Sequence, residues 1–153
     1  WTTNTEERSR LWQARHDAAY ASKALRPDGE IWATDVCVPI SHLAQCIRET
    51  QQDIRESKLM APIVGHVGDG NFHLCLLVDK GDPEESQRAQ DLHERMVMRA
   101  LAMGGTCTGE HGIGYGKLDF LVAEHGEAVS VMRTIKQALD PDNIMNPGKI
   151  LRI

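Results

Sequence analysis

The sequence predicts an α+β fold in which a mainly antiparallel sheet is covered by helices. Short apolar segments rich in β-branched residues alternate with helical patterns, in the order strand, helix, strand, strand, helix, strand. A glycine-containing turn joins two of the strands, as in a hairpin. The 153 residues are 41% hydrophobic, which is enough apolar material for one domain with its own core. We therefore expect a single domain over residues 1–153, as part of a longer protein.

The first part of the chain predicts two helices with a strand between them. A helical pattern covers residues 5–25 and ends in turn chemistry at 26–29. One face of this pattern carries Leu11, Trp12, Arg15, Ala18, Ala19, Ser22 and Leu25. Residues 31–39 have strand character, and Pro39 ends their ladder. Ser41 is expected to cap the next helix. Its apolar stripe consists of Leu43, Ile47, Thr50 and Ile54.

Two histidines flank the predicted hairpin turn. The two strands of the hairpin are residues 61–67 and 72–78. Asp69-Gly70 is typical of a two-residue turn, which would pair His66 directly with His73 on one face of the sheet. Directly opposed Cβ atoms lie about 5 Å apart. From that separation two imidazoles can reach one metal ion with bonds of roughly 2.0–2.1 Å. The hairpin therefore suggests a metal site.

The second part of the chain predicts a further strand and three helices. Asp82 caps a helix with Pro83 at its first position and acidic residues in its first turn. Its buried stripe consists of Ala89, Leu92, Met96, Ala100 and Met103. Gly104-Gly105 ends this helix. The remaining elements are a short strand at 106–108, helices near 118–124 and 128–139, and a tail over 142–153. The order of strands and helices is the ferredoxin-like split βαβ arrangement, with extra C-terminal helices.

The composition argues against several classes of function. The formal charge is -5 and no basic stripe carries interleaved aromatic residues, which disfavours a nucleic-acid partner. No apolar run approaches the roughly 20 residues that span a bilayer. The four cysteines lack both CxxC pairs and regular spacing, so they indicate packed, reduced thiols.

A glycine-rich segment, residues 104–117, contains the dipeptide Glu110-His111. It has the spacing of neither GxGxxG nor GxxxxGK[ST], so its glycines are expected to permit tight turns rather than to hold phosphate. Alone, such a pair is most simply a solvated pair on a mobile loop. Beside His66 and His73, however, Glu110 completes a three-ligand site with open positions, typical of an ion that also holds substrate or water.

Arg15 stands on an otherwise apolar helical face, where a guanidinium is rarely buried without an anion. It either reaches solvent or a local carboxylate, or it binds the carboxylate of a ligand. The remaining histidines lie on amphipathic helices or near their ends and are predicted to be surface residues. They are His16, His42, His93 and His125.

Five motifs carry a resemblance to a known family. They are WQARH at 12–16, TDVCVP at 34–39, GHVGDGNFH at 65–73, TCTGEHGIGYGK at 106–117 and LDPDNIMNPGK at 139–149. With these motifs the chain resembles the C-terminal domain of FAD-linked 2-hydroxyacid oxidoreductases of the vanillyl-alcohol-oxidase type. That family includes D-lactate dehydrogenase (cytochrome), the glycolate oxidase catalytic subunit and D-2-hydroxyglutarate dehydrogenase. The motifs look closest to the D-lactate dehydrogenase branch.

The resemblance implies a role for each candidate residue. His66, His73 and Glu110 would hold a divalent metal, for which zinc, manganese and iron are all suitable. His111 would be the catalytic base, and Arg15 would bind the substrate carboxylate. In the full-length enzyme a small D-2-hydroxy acid would be oxidised to the 2-oxo acid.

The resemblance also implies partners outside this chain. FAD would be bound mainly by a preceding domain that is absent here, and Asn146 and Lys149 of the tail would approach it. The electron acceptor would be a cytochrome or a quinone. Residues 31–34 contain no cation for a second carboxylate, so D-lactate is expected first and glycolate second. This chain alone is expected to be inactive. A bacterial protein would lie in the cytoplasm or on the inner membrane, and a eukaryotic one in mitochondria.

Two other functions fit the same residues without the resemblance. A metal-dependent hydrolase would use Glu110 or His111 to activate water on the ion. A ferredoxin-like binding module would take up a small ligand or form a homodimer through an exposed sheet edge.

Overall fold

The computed structural model describes residues 2–153 and confirms the α+β fold. Its helices are α1 (Thr5–His16), α2 (Ala18–Ala24), α3 (Ile40–Ser57), α4 (Pro83–Ala102), α5 (Leu118–His125) and α6 (Ala128–Leu139). Its strands are β1 (Glu30–Ala33), β2 (Val36–Cys37), β3 (Ile63–His66) and β4 (Asn71–Val78). Within this range no helix has both the length and the apolar character needed to cross a bilayer.

Strand β4 is the centre of the sheet. β1 and β2 pair with it along one edge and β3 along the other, all antiparallel. A single bridge from Cys37 to Thr106 adds the segment after α4 next to β2, which completes the ferredoxin-like order. The predicted strand at 106–108 is therefore wrong in extent. Beyond Thr106 the Cys107 amide donates to Glu124 Oε2 (2.8 Å) instead of to a strand.

The two faces of β4 have different roles, because successive side chains of a strand point in opposite directions. One face carries apolar residues into the main core, against α3 and α4. These are Phe72, Leu74, Leu76 and Val78, which meet Leu43, Cys46, Ala89, Leu92 and Met96 among others. The opposite face carries Asn71, His73 and Cys75. The candidate site is built on that second face.

Several predicted boundaries in the first part of the chain are wrong. The helix predicted over residues 5–25 is divided at Asp17, which ends α1 and precedes α2. Ser41 is not a cap, because α3 already begins at Ile40, directly after the extended backbone of Pro39. The part of the apolar helical face that lies on α1 is solvent-exposed, and α1 has no buried residue. The capping of α4 by Asp82 is confirmed, since its side chain accepts from two amides of the first turn.

His93 was predicted at the surface and is instead buried on α4. Its ring lies edge-on to Trp32 and Phe120, with centroid distances of 5.2 and 5.3 Å. Its Nε2 atom has no hydrogen-bond partner among residues 2–153. Burial, helped by the nearby charge of Lys117, lowers the pKa of His93 to about 4. The imidazole is thus neutral in the folded protein near pH 7.

We expect the protein to lose stability as the pH falls from 6.5 towards 4. The unfolded His93 takes up a proton near pH 6.5, whereas the folded one does so only near pH 4, so acid favours the unfolded state. The loss should reach on the order of 3 kcal/mol. Urea unfolding at several pH values measures it. His93→Phe keeps aromatic contacts with Trp32 and Phe120 and should flatten this part of the profile. If His93→Phe lost stability between pH 6.5 and 4 as the unmodified protein does, His93 would not be the group responsible for the loss.

Candidate active site

The turn between β3 and β4 is longer than predicted. Val67–Asp69 form one turn of 3-10 helix, and Gly70 follows with a φ of 76°. His66 therefore pairs with Asn71, and the predicted direct pairing with His73 is wrong by two residues. Because a shift of two residues preserves the face of a strand, both histidines still point to the same side of the sheet. Their ring centroids are 6.0 Å apart.

Three side chains converge above this face, and we call them the ligand cluster: His66, His73 and Glu110. His66 Nε2 lies 2.9 Å from Glu110 Oε1, and His73 Nε2 lies 3.8 Å from Glu110 Oε2. One ligand atom from each lies within 4.8 Å of the other two. Tetrahedral ligands with bonds of 2.0–2.2 Å are separated by about 3.4 Å. The nitrogen and oxygen donors of the ligand cluster thus fit a divalent ion after small adjustments.

The ring of His73 is oriented by the backbone of the short segment between β1 and β2. Its Nδ1 lies 3.0 Å from the Thr34 carbonyl oxygen, which can only accept a hydrogen bond. Nδ1 therefore carries the proton, and the lone pair of Nε2 faces Glu110. The Thr34 carbonyl is free for this contact because the Leu74 amide of β4 donates to the Thr34 hydroxyl (2.9 Å) and not to the carbonyl. A carbonyl that fixes the tautomer of a histidine is a common support for metal ligation.

Arg15 lies directly beside the ligand cluster. Its Nη2 is 2.9 Å from His66 Nδ1, so α1 contributes a cation to the same site as the hairpin. The same Nη2 lies 3.3 Å from His66 Nε2, and since a guanidinium only donates hydrogen bonds, a nitrogen of the His66 ring is the acceptor. The guanidinium also lies 5.5 Å from the ring centroid of Trp12. These contacts of Arg15, with His66 and Trp12, do not include the local carboxylate that the sequence suggested as a possible partner. A cation next to open ligand positions is suited to an anionic ligand.

His111 completes the group of candidate residues. Its ring stacks on that of His73, with centroids 5.0 Å apart and planes inclined by 13°. The residue is exposed, so a ligand held by the cluster can meet its imidazole. The structure thus brings together Arg15, His66, His73, Glu110 and His111, which come from three separate segments of the sequence.

The two tail residues predicted to approach a cofactor lie in a separate pocket. Asn146 and Lys149 are 3.4 Å apart (Oδ1 to Nζ) and line a cavity of about 600 Å³. The wall of this cavity includes Gly112, the residue after His111. The Ile150 amide donates to the Gly114 carbonyl (2.8 Å), which fastens the tail to the glycine-rich segment. The tail pocket and the ligand cluster therefore share the segment that carries Glu110 and His111.

Comparison with known proteins identifies the family. The family model described as FAD linked oxidases, C-terminal domain, matches residues 1–150. The chain belongs to this family. The predicted resemblance is thereby confirmed.

Relatives of this FAD-linked oxidase domain are considerably longer than the chain. It is 54% identical to "Probable D-lactate dehydrogenase, mitochondrial" of Danio rerio, covering 100% of the chain and 31% of that protein. It is 46% identical to "D-lactate dehydrogenase [cytochrome], mitochondrial" of Arabidopsis thaliana, over 95% of the chain and 26% of that protein. Identity to "Glycolate oxidase subunit GlcD" of Bacillus subtilis is 33%, over 97% of the chain and 32% of that protein. The chain thus spans about a third of these relatives or less.

A solved structure supports the fold of the FAD-linked oxidase domain. The 4-ethylphenol oxidase from Gulosibacter chungangensis, in a complex with isoeugenol, matches 97% of this chain and 31% of its own. The TM-score is 0.66 at 20% sequence identity. The similarity therefore concerns the arrangement of helices and strands.

A buried ion pair beneath the site was not predicted from the sequence. Asp35 and Lys117 are both buried, with Lys117 Nζ 3.6 Å from Asp35 Oδ2. Burial alone would raise the pKa of Asp35, but hydrogen bonds from the His111 and Glu110 amides and neighbouring side chains outweigh it and hold the pKa well below its ordinary value. Lys117 also donates to the carbonyls of Asp35 (3.0 Å) and Cys107 (2.8 Å). The sequence contains one sign of this pair, because Asp35 is a charged residue inside the apolar segment 31–39.

Proposed function

We propose that the full-length protein oxidises a small D-2-hydroxy acid to the 2-oxo acid, with FAD as the oxidant and a divalent ion orienting the substrate. The observation that carries this proposal is the convergence of His66, His73 and Glu110 within 4.8 Å, flanked by Arg15 and His111. The site offers a cation for a carboxylate, and it offers three metal-ligating groups and a base for a neighbouring hydroxyl. A 2-hydroxy acid carries both of these groups.

The ligand cluster would hold the divalent ion through His66 Nε2, His73 Nε2 and the Glu110 carboxylate. Such an ion supplies positive charge that makes a bound hydroxyl easier to deprotonate. The orientation of His73 by the Thr34 carbonyl supports this role, since it leaves the Nε2 lone pair free. The two histidines and one carboxylate suit zinc, manganese or iron.

The chain's own residues would bind the substrate and move one proton. Arg15 would turn from His66 Nδ1 to the substrate carboxylate, which it can hold with two parallel hydrogen bonds. A ring nitrogen of His111 would accept the proton of the 2-hydroxyl group. FAD supplies the acceptor for the hydride that leaves C2. Loss of that hydride and proton converts the alcohol to a ketone, which is a two-electron oxidation.

The surface of the chain supports docking of a flavin-binding domain. Leu11 and Trp12 on α1 are 58% and 53% exposed and line a groove of about 390 Å³ together with Arg15. Such apolar exposure beside a candidate substrate ligand is typical of a surface that another domain covers. Asn146 and Lys149, which line the tail pocket together with Gly112, would then contact the flavin.

D-lactate is the proposed substrate, followed by glycolate. Relatives named as D-lactate dehydrogenases reach 54% and 46% identity, against 33% for the glycolate oxidase subunit. A cytochrome or a quinone would take the electrons, in line with the name of the Arabidopsis relative. The mitochondrial names of eukaryotic relatives support a mitochondrial location in a eukaryotic host. Family membership favours this function over the hydrolase and the binding module.

The proposed function is tested by a substrate screen on the full-length protein. With an artificial electron acceptor, D-lactate should be oxidised at least 10-fold more efficiently (kcat/KM) than L-lactate. The ion and His111 would fix the hydroxyl and Arg15 would fix the carboxylate, so the C2 hydrogen of only one enantiomer would face FAD. Metal analysis of the same preparation should find about one divalent ion per chain. Equal turnover of both enantiomers, or full activity after the ion is removed by chelation, would contradict the proposal.

A further inference from the structure

The carboxylate of Asp35 is fully buried and holds the backbone of the loop that carries the candidate metal ligand and base. Its Oδ2 accepts hydrogen bonds from the Glu110 amide (2.9 Å), the His111 amide (2.9 Å) and the Thr108 hydroxyl (2.8 Å). Its Oδ1 accepts from the Asn71 side chain (2.7 Å). We call residues 108–112 the Glu110 loop. One oxygen atom thus binds three groups of the Glu110 loop.

Thr108 closes the Glu110 loop around that oxygen. Its hydroxyl donates to Asp35 Oδ2 and accepts from the Gly112 amide (2.8 Å). The contacts of this one hydroxyl therefore join the first and last residues of the loop. Successive amides that converge on one anion form a concave cradle, which fixes the direction of the side chains between them. Here those side chains belong to Glu110 and His111.

Asp35 is also placed next to the histidine half of the site. In the register of β1 and β2 with β4, Asp35 stands opposite His73, and its Oδ1 is 3.7 Å from His73 Nδ1. The preceding residue, Thr34, supplies the carbonyl that orients the His73 ring. The short break between β1 and β2 therefore contacts both parts of the site, the strand histidine and the Glu110 loop.

We propose that Asp35 is a positioning residue, whose buried carboxylate aligns the Glu110 carboxylate and the His111 ring with His73. This inference rests on the proposed function of the ligand cluster as a metal site. Asp35 has no direct contact with the ion or the substrate in this scheme and acts through the amides of the Glu110 loop.

The first test replaces Asp35 with asparagine in the full-length protein. The side chain keeps its shape, but one of its two polar atoms becomes a donor and must face either the loop amides or the Asn71 amide group, which are donors themselves. Outer groups that orient metal ligands typically contribute 10- to 100-fold to metal affinity. We expect Zn²⁺ affinity, measured by competition with a chromophoric chelator, to fall by about that factor. Hydrogen exchange of the Glu110 loop in metal-free protein should rise, while exchange in α6 stays unchanged.

A second pair of variants keeps the proposal testable if Asp35→Asn does not fold. Thr108→Val removes the hydroxyl and should weaken Zn²⁺ binding by about 2- to 10-fold, the usual effect of one lost hydrogen bond. Thr108→Ser retains the hydroxyl and should bind Zn²⁺ as the unmodified protein does. Faster exchange confined to the Glu110 loop in Thr108→Val, reversed in Thr108→Ser, is expected of positioning and not of a general loss of stability.

The outcomes separate this inference from the proposed function. If His66→Ala binds Zn²⁺ as tightly as the unmodified protein, the metal site itself is refuted, and the exchange data still decide whether Asp35 holds the Glu110 loop. If His66→Ala loses Zn²⁺ while Asp35→Asn and Thr108→Val bind it normally, the metal site stands and the positioning role is overturned. Unchanged exchange of the Glu110 loop in both variants overturns it as well.

Discussion

Replacement of His111 with asparagine is expected to lower kcat of the full-length enzyme on D-lactate by about 10²- to 10⁴-fold, the usual contribution of a general base. The His111 ring is exposed and stacks on the His73 ring at 5.0 Å, so it lies beside the ligand cluster proposed to hold the substrate hydroxyl. Asparagine retains polarity and similar size but cannot take up a proton near neutral pH. Steady-state kinetics with an artificial electron acceptor measure the change, and the visible spectrum checks that FAD remains bound.

His125→Asn is the matched control for this variant. His125 is also exposed, but it lies at the C-terminal end of α5 and pairs weakly with Glu124 at 3.6 Å. The activity of the His125→Asn protein should remain within about twofold of that of the unmodified protein, as expected for a surface substitution. Retention of more than about a tenth of the original kcat by His111→Asn, with FAD and Zn²⁺ binding unchanged, would remove His111 from the role of base.

Local sequence signals predicted the elements whose structure is decided by neighbouring residues. The Asp82 cap, the following Pro83 and the buried stripe of α4 all appear as predicted, because capping and helical periodicity act within a few residues. The five site residues were also predicted, and the structure brings them together. Their grouping was predicted from the motifs and from the rule that every second residue of a strand points to the same face. An error of two residues in strand pairing does not change that face.

The features that were mispredicted depend on contacts between distant segments. The Val38 amide donates to the Gly70 carbonyl (3.0 Å), so the turn is shaped by the segment after β2 and not by Asp69-Gly70 alone. His93 follows the same principle, since its burial results from packing against Trp32 and Phe120. Asp35 was missed as well, because its three partners in the Glu110 loop lie more than 70 residues away. Such partners leave no periodic signal in the sequence.

The hairpin turn should be intolerant of a side chain at Gly70. Gly70 has a φ of 76°, and a Cβ atom there would lie 2.0 Å from the backbone oxygen of Val38, which cannot move independently of β2. The left-handed conformation costs roughly 1–2 kcal/mol for other residues and overpacking about 1–3 kcal/mol more. We therefore expect Gly70→Ala to lower the free energy of unfolding by about 2–5 kcal/mol and to weaken Zn²⁺ binding, because the turn sets His66 against His73.

Gly68→Ala, in the same turn, is the control that separates this steric effect from a general intolerance of the hairpin. Gly68 has no atom within 4 Å of an added Cβ and does not adopt a positive φ. Alanine there should be neutral, or stabilising by about 0.4–1 kcal/mol through the lower entropy of the unfolded chain. Urea unfolding of the two variants measures the difference. Equal stabilities would show that the turn rearranges without cost, and the register of His66 with Asn71 would then have little influence on the geometry of the ligand cluster.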